Sequence, residues 1–284
     1  MSNYISDSTK THWLISNPAR TTRTGMDGKP FRCPFCPGAE ADTPPEVYRI
    51  GDGEANKPGW KIRVVPNMFP ITETHEVIIH SSDHNKNIEE LSLDQIENII
   101  KTYINRFDFL KSQGKVFIFS NQSLISGASL VHSHSQISVV PNDIPTDTLP
   151  VQPVVNIVEQ VGEFISYCPD YSEWAYEVWV KPISNFKFQI FNQFQISNFS
   201  KILQSSIQKL KKIHGRNLHY SKKPFGYNFY ISISTVIPAK AGIQESWYLR
   251  IIPRFMERAG FEMSTGIMVN SVEAKKASEE LKKV

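Results

Sequence analysis

The order strand, strand, helix, strand, strand can be read twice along this chain of 284 residues, and it restricts the fold more than any other feature. In the first half, Trp60 to Pro66 (WKIRVVP) and His75 to His80 (HEVIIH) read as strands. A helix is expected from Ser92 to Gln113, where Ile96, Ile99, Ile100, Tyr103, Ile104, Phe107 and Leu110 make one apolar stripe. Ser92 with Gln95 fits a capping box, and Gly114 fits a stop. Strands at Lys115 to Ser120 and Leu130 to Val140 follow. The second half repeats this with strands at Phe164 to Tyr171 and Tyr176 to Pro182, a helix from Ser197 to His214, and strands at Tyr227 to Ser234 and Trp247 to Pro253. A C-terminal helix begins near Ser271. Tight strand-to-strand links leave no room for parallel crossovers, so the expectation is α+β, a duplicated unit on mainly antiparallel sheet. Glu76-Val77 against Glu177-Val178, and IFSNQ against FYISI, are local matches between the halves. The halves divide into domains at 1–150 and 151–284. Residues 186–199 (FKFQIFNQFQISNF) and 235–245 (TVIPAKAGIQE) read as insertions or drift without a function.

The chemistry gathers in the first half. His132-Ser133-His134-Ser135-Gln136 alternates polar groups with serines, after Gly127-Ala128-Ser129. In an extended chain His132, His134 and Gln136 line one face, neighbours roughly 7 Å apart, so one histidine can hold a metal while the next acts on a separate ligand. Cys33-Pro34-Phe35-Cys36 offers two thiolates to one zinc ion, and a structural zinc site needs two further ligands. His84 and His132 are the candidates for those places. A redox-active cysteine pair is the competing reading, but the strand and helix context for it is missing. His134 is the nucleophile candidate, since a neutral imidazole can attack phosphorus and form a phosphoramidate. Against it stands the reading in which both histidines bind metal. Ser129 and Gln136 supply neutral donors for phosphate oxygens, and Gly127 allows close backbone approach. Arg20 and Arg23 suit an anionic phosphate. Single histidines such as His12, His214 and His219 are expected to be filler. The counterpart strand in the second half, Ser246 to Arg250, carries no histidine, so only the first half keeps catalytic groups.

Composition excludes several classes. The net charge of +3, with scattered Lys and Arg, does not mark a nucleic-acid binder. Met1 to Lys10 is polar, unlike a signal peptide, and no apolar run approaches the ~20 residues of a membrane span. Three cysteines, two of them in one C-x-x-C pair, argue against a secreted disulfide scaffold and for the cytoplasm.

Ordered motifs then point to a family. They are W-x-x-x-x-x-x-R-x-x-R from Trp13, C-P-F-C-P-G from Cys33, V-P-N-x-x-P from Val65, H-E-V-I-I-H followed by S-x-D-H at His84, S-N-Q at Ser120, and G-A-S-L-x-H-S-H-S-Q. Y-E-V-W-V at Tyr176, I-I-P-R at Ile251 and A-G-F-E-M-S-T-G at Ala259 continue the series. The chain resembles the galactose-1-phosphate uridylyltransferase family within the histidine-triad superfold. With serine between its histidines, it resembles the ADP-glucose phosphorylase branch as well. The resemblance implies His134 as the nucleotidylated nucleophile and Cys33, Cys36, His84 and His132 as ligands of structural zinc. It implies phosphate contacts from Arg20, Arg23, Ser129 and Gln136, a nucleoside contact from Asn67, and Asn121 near the transferred phosphate. Glu262 matches a sugar contact donated by the partner subunit, which implies a homodimer. The implied reaction is ping-pong transfer of UMP from a nucleotide sugar to a hexose 1-phosphate. Alternatives are an adenylyl-transferring relative and a zinc-stapled nucleotide-binding protein without catalysis.

Overall fold

The computed structural model describes residues 3–18, 32–146, 149–184, 186–236 and 244–284. Arg20 and Arg23, and most of the 235–245 segment, lie outside the described residues.

Strands β1 (Asn3–Ser6) and β2 (Trp13–Ser16) form a small hairpin of their own. Ten further strands make one sheet. The first half contributes β3 (Tyr48–Gly51), β4 (Trp60–Pro66), β5 (His75–Ile79), β6 (Lys115–Gln122) and β7 (His134–Val140). The second contributes β8 (Ile157–Val161), β9 (Phe164–Tyr167), β10 (Val178–Pro182), β11 (Tyr227–Val236) and β12 (Gln244–Pro253). Their order is β3-β4-β5-β7-β6-β11-β12-β10-β9-β8, which reads alike from both ends. All neighbours are antiparallel, and the halves join at β6 and β11. Helix α1 (Leu93–Leu110) links β5 to β6, and α2 (Gln193–Arg216) links β10 to β11. The expected duplicated α+β unit is therefore the architecture. Helices α3 (Gly260–Thr265) and α4 (Ala274–Lys282) follow the sheet.

Both long helices cover the same sheet face. Ile62, Val64, Ile78 and Ile137 on the sheet meet Ile96, Ile100 and Tyr103 of α1 and Phe199 and Leu203 of α2 in one buried cluster. The opposite face differs between the halves. In the first half it carries Val65, Val77, His134 and Gln136 around an open cavity. In the second half Tyr167, Trp179 and Tyr248 fill the equivalent surface, with the Trp179 and Tyr248 rings stacked at 4.1 Å. The segment between the halves lies across them, where Tyr248 Oη donates to Leu149 O and Tyr167 Oη to Gln152 O. The open space that remains on this face lies beyond them, lined by Trp174, Arg250, Ile252 and Arg254.

Strand register corrects one of the two local matches. Setting Gln136 against Arg250 places Phe119 on Tyr230 and Val77 on Trp179, with faces preserved. IFSNQ then falls on FYISI, as expected. Glu76 does not fall on Glu177. Glu76 faces α1 and accepts from Arg106 Nε at 2.9 Å, whereas Glu177 faces away and accepts from Arg250 Nε at 2.7 Å. A shift of one residue reverses the face, so similar letters hid opposite orientations.

Other expectations shift at the edges. Strand β7 starts at His134 instead of Leu130, because the residues before it turn to reach the cysteine loop. Ser92 caps α1 by accepting from Gln95 N, but the Gln95 side chain leaves the box and donates to Lys61 O and His80 O, both at 2.7 Å. The helix ends at Leu110, and Gly114 serves a close approach, since a Cβ there would lie 2.5 Å from Val140 O. Beyond the strands expected, the chain also forms β1, β3 and β8. The 186–199 run is no insertion. Phe186, Phe188, Phe191 and Phe199 pack around Trp247, and Asn192 with Gln195 closes a capping box that starts α2 at Gln193.

Candidate metal centre and active site

Cys33 and Cys36 sit in a tight turn, with Cys36 N donating to Cys33 O at 3.2 Å. Glu40 anchors that turn to the sheet by accepting from Gly38 N and from Trp60 Nε1 of β4, both at 2.8 Å. His84 comes from the loop after β5 and His132 from the approach to β7. These segments converge, so that the Cys33, Cys36, His84 and His132 ligand atoms all lie within 4.8 Å of one another. Cys36 Sγ is 3.3 Å from His84 Nδ1, and Cys33 Sγ and Cys36 Sγ are each 3.7 Å from His132 Nδ1. The edges of a tetrahedron around an ion with bonds of about 2.3 Å to sulfur and 2.0 Å to nitrogen are about 3.6 Å. The donor set thus fits a metal ion. His132 Nε2 donates to Ser81 O at 2.8 Å, which fixes the tautomer that turns Nδ1 toward the cluster. Burial pushes the Cys33 thiol up to about 11, so its thiolate form calls for a cation beside it.

Phe35 separates this cluster from the next group, its ring 6.2 Å from His132 and 5.3 Å from His134. His134 opens β7 and is buried. Its Nδ1 lies 2.8 Å from His132 O. A carbonyl only accepts, so Nδ1 carries the proton and Nε2 the in-plane lone pair. The ring lines a cavity of about 350 Å³, together with Phe35, Asn67, Phe69, Ser129 and Gln136. Gly127 turns the chain into this wall with a left-handed φ of 84°, and its position has open space around it.

Asn121 follows Ser120, the register partner of Ser135, and does not line the cavity; its Oδ1 accepts from Asn228 Nδ2 at 2.7 Å. Glu262 is not brought to His134 within this chain. It caps α3 by accepting from Ala259 N at 3.0 Å and lines a separate cleft with Trp174 and Arg258. Two histidines of HEVIIH carry more than the sequence reading gave them. His75 faces the cavity side, with Nε2 3.0 Å from Gln136 Oε1. His80 faces the helices, 2.9 Å from Ser133 Oγ and 2.7 Å from Ser135 Oγ. Their odd spacing on a strand is the signal that puts them on opposite faces of the HSHSQ segment.

The chain is similar to known proteins in sequence and in fold. Residues 69–140 match the model of the galactose-1-phosphate uridyl transferase N-terminal domain. An ADP-glucose phosphorylase of Arabidopsis thaliana is 25% identical over 94% of this chain and 88% of its own length. A galactose-1-phosphate uridylyltransferase of Thermotoga maritima is 26% identical over 73% of this chain and 75% of its own. The crystal structure of an Arabidopsis thaliana ADP-glucose phosphorylase with bound ADP-glucose shares the fold, with a TM-score of 0.75 at 23% identity over 100% of this chain and 99% of that one. No described helix is long and apolar enough to cross a membrane. By its motifs, its matched N-terminal domain and its fold, the chain is similar to the galactose-1-phosphate uridyl transferase family and to its ADP-glucose phosphorylase relatives.

Proposed function

We propose that the protein transfers a nucleoside monophosphate from a nucleotide sugar through a covalent intermediate on His134. The observation that carries this reading is the His134 Nδ1–H bond to His132 O at 2.8 Å inside the 350 Å³ cavity. In the first step Nε2 attacks the α-phosphorus, a P–N bond forms, and the P–O bond to the leaving sugar 1-phosphate breaks. In the second, a phosphate oxygen of the acceptor attacks the same phosphorus and the P–N bond breaks, returning the lone pair to Nε2. Ser129 and Gln136 donate to the phosphate oxygens, Asn67 contacts the nucleoside, and Asn121 stands near the transferred phosphate. Arg20 and Arg23 supply positive charge. Zinc on Cys33, Cys36, His84 and His132, when bound, holds the cysteine loop and the approach to β7 in place. Glu262 acts across a homodimer in a cytoplasmic enzyme of hexose metabolism, and the domain division lies near residue 150.

UMP transfer between UDP-glucose and a hexose 1-phosphate is the first reading. Adenylyl transfer from ADP-glucose is the second, favoured by the match to the Arabidopsis thaliana phosphorylase over 94% of the chain. Intact-mass measurement after exposure to each donor separately distinguishes them. The expected result is a UMP adduct that is lost in His134→Ala. An AMP adduct instead would establish the second reading, and no adduct from either donor would refute the covalent mechanism.

A further inference from the structure

Gln136 can serve a phosphate only if its amide points the right way, since one end donates and the other accepts. The groups behind it settle that orientation. Ile71 N donates to His75 Nδ1 at 2.9 Å. A backbone N–H has no acceptor role, so Nδ1 holds a lone pair and the ring proton sits on Nε2. His75 Nε2 therefore donates to Gln136 Oε1, 3.0 Å away. Asn67 repeats the pattern: its Oδ1 accepts from Phe69 N at 2.9 Å, which turns its Nδ2 toward the same Gln136 Oε1 at 3.4 Å. With Oε1 facing two donors, the amide nitrogen of Gln136 is the end left for the cavity. His75 and Gln136 are both buried, so water does not replace a missing partner there at no cost.

We infer that His75 is a positioning residue, which locks the Gln136 amide as a hydrogen-bond donor toward the phosphates of the bound nucleotide. The chain runs from Ile71 N–H through the His75 ring to Gln136 and ends at a phosphate oxygen. It has no counterpart in the second half. There the strand register sets Glu177 and Arg250 in the places of His75 and Gln136, and these close on each other as an ion pair with 2.7 Å between Oε1 and Nε. The inference rests on the proposed nucleotidyl transfer, because it needs a phosphate in the cavity.

The test is a double-mutant cycle on the rate of His134 nucleotidylation, with His75→Phe, Gln136→Ala and the double variant. If His75 acts through Gln136, His75→Phe lowers the rate about tenfold or more in the natural background. It changes nothing further in the Gln136→Ala background. His75→Gln, which keeps a donor near the Nε2 position, recovers part of the loss. Equal losses in both backgrounds would mean that His75 is merely structural and would overturn the inference. Long-range ¹H–¹⁵N spectra of the unliganded protein give a second readout that needs no activity. The Nε2–H tautomer of His75 is expected, and the Nδ1–H tautomer would refute the relay. Failure of the natural protein to label at all would count against the transfer reading, while the tautomer result would still judge the relay.

Discussion

His80 shows how a single residue behind the site ties its reactive strand to the core. It is fully buried, and its two nitrogens face Ser133 Oγ at 2.9 Å and Ser135 Oγ at 2.7 Å. Tyr103 of α1 joins them, with its hydroxyl 3.2 Å from His80 Nε2. The two serines alternate with His132, His134 and Gln136, so one face of the segment is fastened to the helices while the other serves the cavity and the cysteine cluster. Burial, then the nearby His134 and His132, hold the His80 pKa well below its ordinary value of 6.5. The unfolded chain therefore binds a proton at this position that the folded chain refuses. Stability rises with pH across that window: it is complete above the ordinary pKa and is lost as pH falls below 6.5, by up to about 1.4 kcal/mol per pH unit. Urea unfolding of the natural protein and of His80→Asn at pH 7.5 and pH 5.5 checks this. The variant should be less stable at the higher pH, and the gap should narrow by about 1 kcal/mol at the lower one. A gap that stays constant or widens on acidification would contradict a neutral buried His80.

At the scale of elements, the phenylalanine-rich run shows how composition can mislead. Phe188 is fully buried, with ring contacts at 5.8 Å to Phe107 of α1, 5.3 Å to Phe191 and 5.4 Å to Trp247 of β12. The segment therefore joins both long helices to the second half of the sheet. Phe188→Ala should cost about 3–5 kcal/mol in equilibrium urea unfolding, as expected for a large ring removed from a packed core. Phe194, in the same run but exposed, should tolerate alanine within about 0.5 kcal/mol. Letter frequency alone could not separate these two, because burial depends on what β12 and α1 bring to the same place. The same limit explains the other misreadings. Helix α1 was legible from its apolar stripe, and the duplicated order from alternation and spacing. The start of β7 was not legible, because residues 130–133 keep a strand-like pattern while their path is bent toward the cysteine loop. The Cys-x-x-Cys pair made a metal site an expectation, and the family resemblance supplied His84 and His132, which the fold brings beside the two cysteines. The roles of His75 and His80 depend on partners across the sheet that no local pattern discloses. Glu262 could be matched by motif, yet its distance from His134 within one chain appears only in three dimensions.

The whole molecule is a symmetric sheet with an asymmetric distribution of chemistry. Both halves present a surface away from the helices, and the first leaves it open where His134 stands. The second fills it with Tyr167, Trp179 and Tyr248 and closes it with the Glu177–Arg250 pair and the crossing segment at Leu149. The open half lacks such packing, and a bound ion on Cys33, Cys36, His84 and His132 would supply the missing ties between three separate segments. Pro34 and Phe35, between the two cysteines, form part of the cavity wall. The metal centre and the cavity should therefore fail together. A site that binds an ion in the folded state alone adds about 2.7 kcal/mol when free ion exceeds Kd a hundredfold, and that contribution vanishes on chelation. Elemental analysis should find zinc in the natural protein and none in Cys33→Ser. The thermal midpoint should fall in that variant and in chelator-treated protein alike, and nucleotide binding in the cavity should be lost with it. Readdition of zinc should restore both properties to the chelated protein but not to Cys33→Ser. Nucleotide binding that persists at full strength after complete removal of the ion would show that the cysteine loop holds the cavity without it.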